Sequence, residues 1–543
     1  MNIQSGGRGS RTRTARAAAT LLSTALGLGA VALVISRMGA GLLVRAAPGA
    51  ELEVCPSGCA YSSVQDAVDV AVEGDLIKVA QGTYTGVHAR TGVTQVVTVD
   101  VPVSIRGGYT TANGFADPPD PVAYPTVLDA EGQGRVIYVA EDVTVTLEGL
   151  QLTGGDGTGL GGGGGPTFLD AGGGIYAERG VHVTIRDCTI AANRSAAAGG
   201  AYFSRNAVLT LQDSLITGNV AVTGNAGGVY VYSPLVATIK RNTIASNTAG
   251  FNAGGLYLAY GFSDSVISEN TIVSNTAGHD AGAIFMASAA TLRDNVLAHN
   301  RAGFSGGAVY INGRSPLVAS NRVFDNVAAN WGGGIYVYAP ATLQANTIIS
   351  NAAGAGGGGL HLHDSKDRLE NNVVAGNRIG AGRSGAGIYV WSGAPRFFHT
   401  TVAENVGGDG SGIYAVKFTA TPGSPSLTNT ILVSQTVGVE AGTGNTVTLE
   451  ATLWGSGAWA NGTDALGLVI SSTNVSGDPG FVDPQRWDYH IQSSSDAVDA
   501  GTDAGIGVDI DAELRPAGAG PEIGADELWQ YVHMPLVTRN VER

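Results

Sequence analysis

Gly332-Gly-Gly-Ile-Tyr-Val-Tyr-Ala-Pro-Ala-Thr-Leu-Gln-Ala-Asn-Thr-Ile-Ile-Ser-Asn351 is one beat of a phrase that recurs along this chain. Glycine, a small or aliphatic residue, an aromatic and another apolar residue return with the ring position at Tyr176, Tyr202, Tyr230, Tyr257, Phe285, Tyr310, Tyr336, His361, Tyr389 and Tyr414. The steps are 26, 28, 27, 28, 25, 26, 25, 28 and 25 residues. Asn193, Asn219, Asn247, Asn275, Asn300, Asn326, Asn351, Asn377 and Asn405 keep the same beat. A period of this length marks a solenoid, because one unit cannot bury its own apolar face and must stack on its neighbours.

Each repeat holds three short apolar pulses, such as Ile335-Tyr-Val337, Thr342-Leu343 and Thr347-Ile348-Ile349, bounded by Gly, Asn or Ser. Their length and alternation predict strands, and the i, i+3, i+4, i+7 spacing of a helix is missing. A chain with 82 Gly in 543 residues is also a poor helix former. The leucine-rich repeat shares the period but needs a Leu-x-x-Leu-x-Leu-x-x-Asn core that does not occur here. The expectation is therefore all-β: a parallel β-helix with three short strands per coil of about 26 residues. The Asn row fits a structural ladder, with each Asn in a left-handed turn and its amide bonded to the next coil.

The formal charge is −15. Residues 1–46 hold six Arg and no acid, so their removal would leave −21. With only Lys78, Lys240, Lys366 and Lys417 as lysines, nucleic acid is excluded as a partner class. Arg8, Arg11, Arg13 and Arg16 precede the apolar run 17–35, and Val44-Arg45-Ala46 offers a small-x-small cleavage site. Residues 1–46 thus read as a signal peptide, or as a signal anchor giving membrane contact if it stays uncleaved; both place the solenoid outside, secreted or at the cell surface. Cys55 and Cys59 bracket Pro-Ser-Gly, which suits a disulfide in an oxidising compartment. No second Cys or His pair adjoins them, so no metal site is expected. Cys188 stands where the repeat often carries Asn and is expected to be a buried thiol.

At the N-terminal end, Val64, Ala67, Val68 and Ala71 share one helical face behind Ser62 or Ser63 as N-cap. Gly74 is expected to end this helix, and Leu76-Ile-Lys-Val79 to begin the first strand. A helix there would cover the first coil. The run Ser63-Val-Gln-Asp-Ala-Val68, then Gly74-Asp-Leu-Ile-Lys-Val79 and Gly82-Thr-Tyr84, resembles the entry of bacterial secreted or surface right-handed parallel β-helix proteins of the pectin lyase-like superfamily. Ser104–Tyr109 and Thr126–Asp129 resemble their early coils. Asp478–Asp483, Trp487–Ile491, Ala497–Gly501, Leu514–Pro516 and Ile523–Asp526 resemble their closing segment. The resemblance implies right-handed winding and export. The expected layout is 1–46 signal, 55–110 cap and first coils, 111–475 β-helix, 476–527 closing segment and 528–543 apolar tail. The Gly-rich run 154–165 reads as a mobile loop.

The polygalacturonase, pectate lyase and pectin methylesterase signatures are absent from the sequence. The weak catalytic candidates are His361, His363, Lys366 and Arg368, with Asp364 and Asp367 between them and Trp391, Arg396 and His399 one coil on. A polysaccharide lyase or hydrolase would use such groups as base and uronate-neutralising cation, with calcium as the one cofactor in view. The alternation of strands turns the ring positions outward. Tyr230, Tyr232, Tyr257, Phe285, Tyr310, Tyr336, Tyr338, Tyr389 and Trp391 would form an exposed double row suited to stacking on sugars. The leading expectation is a non-catalytic module binding a polysaccharide or cell-surface glycan. The alternatives are the lyase or hydrolase and a structural, adhesin-like stalk.

Overall fold

The computed structural model describes residues 49–528, apart from 91, 163–169, 262–263 and 419–420. One coil shows how sequence becomes structure. Ile335–Val337, Thr342–Gln344 and Thr347–Ile349 are the three strands expected, and a two-residue strand, Ala352–Ala353, follows before Leu360 starts the next coil. Stacking repeats this about 16 times at about 26 residues per turn. The strands collect into sheets of 28, 15 and 8 members. Coils pair parallel and in register, so that Val309, Ile335 and Leu360 align, as do Tyr310, Tyr336 and His361. Inward side chains such as Ile335, Val337, Leu343 and Ile348 are fully buried in one continuous core.

The Asn ladder is present, and it is double. Asn326 Nδ2 donates to Asn351 Oδ1 at 3.0 Å and to the Leu297 carbonyl at 2.8 Å. The Asn326 backbone N–H shares the same Oδ1 at 3.0 Å. A second row, Asn242, Asn270, Asn295, Asn321, Asn346 and Asn372, runs five residues earlier in each repeat. Cys188 and Ser214 head it, and burial pushes the Cys188 thiol up to about 12. The left-handed turn sits one residue before each Asn, as at Ala345 (φ 53°) and Ser350 (φ 54°), and not at the Asn itself. The Asn thereby stays out of the left-handed region and gives its amide to the neighbouring coil.

The helix forms over Val64–Val70, shorter than the Gly74 limit, with Ser63 Oγ accepting from the Asp66 N–H at 3.2 Å. Buried Gln65 takes the Thr98 N–H at 2.6 Å and fixes the helix to the strand Val93–Val99. The strand Glu51–Val54 precedes the helix and pairs with Leu76–Val79, so the latter is the second parallel strand. Residues 154–162 of the Gly-rich run are held in place, with the Tyr176 hydroxyl donating to the Gly162 carbonyl at 2.7 Å and Arg135 reaching the Gly161 carbonyl at 2.6 Å.

The closing segment does not sit on the last coil. It folds back along the outside of the largest sheet, where Phe481, Tyr489, Ile491, Ile523 and Ala525 pack on Ile349, Val373, Ala375, Ala403, Ile431 and Val433. Asn371 and Asn429 donate to the Val508 and Thr502 carbonyls at 2.8 and 2.7 Å, pinning it. No helix among the described residues is long and apolar enough to cross a membrane. Residues 1–46, expected to be a signal peptide or anchor, and the tail from Trp529 onward lie outside the described residues.

Candidate functional site

Successive rings at the ladder position stack on one another. Tyr257–Phe285, Phe285–Tyr310 and Tyr310–Tyr336 have centroids 4.7, 4.8 and 4.8 Å apart, within 19° of coplanar. The rings point away from the coil interior, as the alternation requires, but they do not form an open row. Tyr230, Tyr257, Phe285 and Tyr336 are 9, 8, 6 and 6% exposed. Alanines of the preceding turns, Ala226, Ala253 and Ala281, close over them as a second apolar column. Ring faces used on each other are not free for a ligand, so most of the expected row is structural packing. Tyr232 belongs to it too, buried beside Tyr230 and Tyr260.

The pattern changes where the sheet lengthens. Ile335–Val337 has three residues, whereas Leu360–Ser365, Ile388–Gly393 and Ser411–Val416 have six each. The longer strands carry a second outward position, pairing His363 with Trp391 in register. Around the His363 ring stand Tyr338 at 4.8 Å, Trp391 at 5.0 Å and Phe418 at 6.0 Å. Tyr338 and Phe418 are exposed, and His363 and Trp391 are half-buried. Trp391 and Phe418 meet edge to face at 4.6 Å. The Tyr336 hydroxyl lies 3.1 Å from His363 Nδ1, which accepts its proton in the tautomer with hydrogen on Nε2. Desolvation holds His363 below its ordinary pKa, so the ring is neutral at neutral pH.

His361 faces away from the coil interior, as the alternation predicts, but it is not exposed. It occupies a rung of the ladder, fully buried between Tyr336 at 4.6 Å and Tyr389 at 5.1 Å. Neither ring nitrogen has a hydrogen-bond partner, and desolvation holds the imidazole well below its usual pKa. Trp331 covers it, with centroids 5.1 Å apart, and reaches Trp391 at 5.2 Å. Gly356 makes this cover fit: a Cβ there would stand 2.7 Å from a Tyr389 ring carbon and 3.0 Å from one of Trp331. Trp331 and Phe418 were invisible in the repeat pattern, Trp331 because its rung mates are Ser305, Gly356 and Ser384.

The remaining candidates disperse. Lys366 is exposed in the turn after Ser365. Arg368 lies around the corner on the largest sheet, where it contacts Glu370 and stacks over Phe398 at 4.7 Å, as Arg396 does at 5.0 Å. His399 is buried beneath the closing segment, where desolvation and Arg515 hold it neutral, near 3. Cys55 and Cys59 form the expected disulfide.

One group could hold a cation. His490, Asp511 and Asp526 bring a ligand atom each within 4.8 Å of one another. Both imidazole nitrogens are already taken, Nδ1 by Asp488 at 2.5 Å and Nε2 by Asp511 at 2.7 Å. The Asp511 hydrogen bond leads in raising His490 to about 10, so the cluster is an imidazolium held between carboxylates.

Residues 227–407 match the family described as Right handed beta helix region, and residues 164–282 match Periplasmic copper-binding protein (NosD). No curated protein matches the chain. Among solved structures, pectate lyase Pel9A is similar at 11% identity over 89% of this chain and 97% of that one, with a TM-score of 0.28. A structure titled the complex structure of XylC with xylose is similar at 10% identity over 88% and 99%, with a TM-score of 0.33. Coil geometry defines the class, a parallel β-helix, and residues 227–407 match the right-handed β-helix family within it. The copper description of the second family does not fit this chain. Within 164–282 the soft donors are His182, Cys188 and His279, on an exposed strand, in the core and at a turn. Among the described residues the single three-ligand group lies outside that stretch.

Proposed function

We propose that the protein is an exported β-helix that binds carbohydrate, without cleaving it, through Tyr338, His363, Trp391 and Phe418. The observation that carries this reading is the local lengthening of the sheet, which sets His363 and Trp391 side by side between exposed Tyr338 and Phe418, with the Tyr336 hydroxyl against His363 Nδ1. Ring faces and edges accept the C–H faces of sugars, while a neutral imidazole and hydroxyls supply hydrogen bonds without selecting for charge. The partner is a polysaccharide or cell-surface glycan. Export is supported by the Cys55–Cys59 disulfide, which persists in oxidising compartments.

The test is affinity electrophoresis against neutral and acidic polysaccharides, with chromatographic chain length followed with and without calcium. Trp391→Ala with Phe418→Ala should weaken retention about tenfold or more, as loss of stacking worth over 1.4 kcal/mol implies. Retention unchanged in that double variant overturns the site. Shortened chains overturn the non-catalytic reading and replace it with a lyase or hydrolase.

A further inference from the structure

The two ends of the solenoid are finished differently. At the N-terminal end, the helix Val64–Val70 packs on Glu51–Val54 and Leu76–Ala80. His88–Arg90 adds an antiparallel strand along Val93–Val99 and closes the edge of the second sheet. The first parallel strand also carries exposed Glu51 and Glu53. A covering helix, a capping hairpin and edge carboxylates are the devices that keep a parallel edge from pairing with another chain.

Among the described residues, none of these protects the other end. Thr463–Gly467 and Val469–Ser472 bond, among the described residues, only to the coil before them, leaving a row of backbone N–H and C=O groups facing outward. The closing segment that follows runs back along the side of the coils. Leu466, Leu468 and Ile470 are 43, 59 and 56% exposed. From Asn461 to Ser476 the chain has no Lys, Arg or Pro and a single acid, Asp464, although its net charge is −15.

We infer that this end is a self-association surface whose partner is the same end of a second copy of this chain. A two-fold axis across the solenoid sets one edge antiparallel to its mate, so both rows of backbone groups find partners and the exposed leucines and isoleucine are covered. Self-complementarity favours this occupant: two acidic chains meet with least repulsion at the one end that is nearly free of charge. The contact closes at two copies, because the helix, the hairpin and Glu51 and Glu53 block head-to-tail growth at the N-terminal ends.

Sedimentation equilibrium on the full chain, in low and high salt, tests this. The expected result is a dimer that persists in high salt and does not grow into longer species. Leu468→Lys with Ile470→Lys should weaken the dimer about tenfold or more while leaving the β-sheet circular dichroism and melting transition unchanged. Hydrogen exchange at 463–472 should be slow in the dimer and fast in that variant. A monomer at all concentrations, or a dimer indifferent to the two lysines, overturns the inference. So does association that appears only when residues 529–543 are removed, since that would make the tail the occupant of this edge. Glycan retention is read separately and does not depend on these residues.

Discussion

At the scale of single residues, His361 is the informative exception. The ladder position needs a flat ring, and Phe285 shows that a buried ring without polar atoms fills it. An imidazole there leaves a donor and an acceptor without partners. An unsatisfied buried group costs about 1–3 kcal/mol, so His361→Phe should raise the free energy of unfolding by about that amount. Urea denaturation of the two proteins checks it, and a lower midpoint for the variant would show that the imidazole is satisfied by something else. Gly356→Ala should act in the opposite direction. Its Cβ would press on Tyr389 and Trp331, and overpacking of this kind costs about 1–3 kcal/mol. Trp331 fluorescence should shift in that variant as the indole is displaced.

Elements add two further expectations. The Asn326 amide serves five bonds, so Asn326→Ala removes the acceptor for the Asn300 N–H and Nδ2 and the donor to the Leu297 and Phe324 carbonyls and Asn351 Oδ1. A loss of at least about 2–4 kcal/mol follows from the missing bonds and the groups they leave unpaired. Since coils couple only to their neighbours, hydrogen exchange should quicken in coils 295–355 before distant ones.

The closing segment should respond to pH. His490 is raised to about 10 by its hydrogen bonds to Asp511 and Asp488, so the folded state holds a proton that the unfolded chain releases near 6.5. That stabilisation is complete below the unfolded value and is lost as pH climbs toward about 10. Buried Glu522, raised by desolvation and by Glu527, has the same sign. Asp511 is lowered chiefly by His490 and has the opposite sign, losing its contribution in acid. Limited proteolysis should therefore release residues 476–528 first in alkaline solution, while the coils stay intact. Equal resistance at neutral and alkaline pH would count against this latch.

For the whole molecule, what the sequence revealed follows from what repeats. The period, the inward Ile and Val positions and the first Asn row recur every coil, so the solenoid was legible from them. Alternation also placed the rings outward correctly, but burial of those rings depends on the turns that precede them, and one strand carries no trace of that cover. The site lies where the repeat is broken, by longer strands, by Trp331 and by Phe418, so periodicity could not locate it. The fold-back left one local mark. Val373 is apolar in a column whose equivalents include Thr243, Arg322 and Thr347, whereas Ile349 and Ala375 continue a column already apolar at Ala245, Val273 and Ala298. An apolar outer face on consecutive coils requires a cover, and the closing segment is that cover. A chain lacking 478–528 should consequently expose Ile349, Val373, Ile431 and Val433 together. It should bind a hydrophobic dye and aggregate, while its early coils keep their β-sheet signal because they touch none of the removed residues. Light scattering and dye fluorescence on the truncated protein check this, and a soluble, dye-silent truncation would mean that the outer face needs no cover.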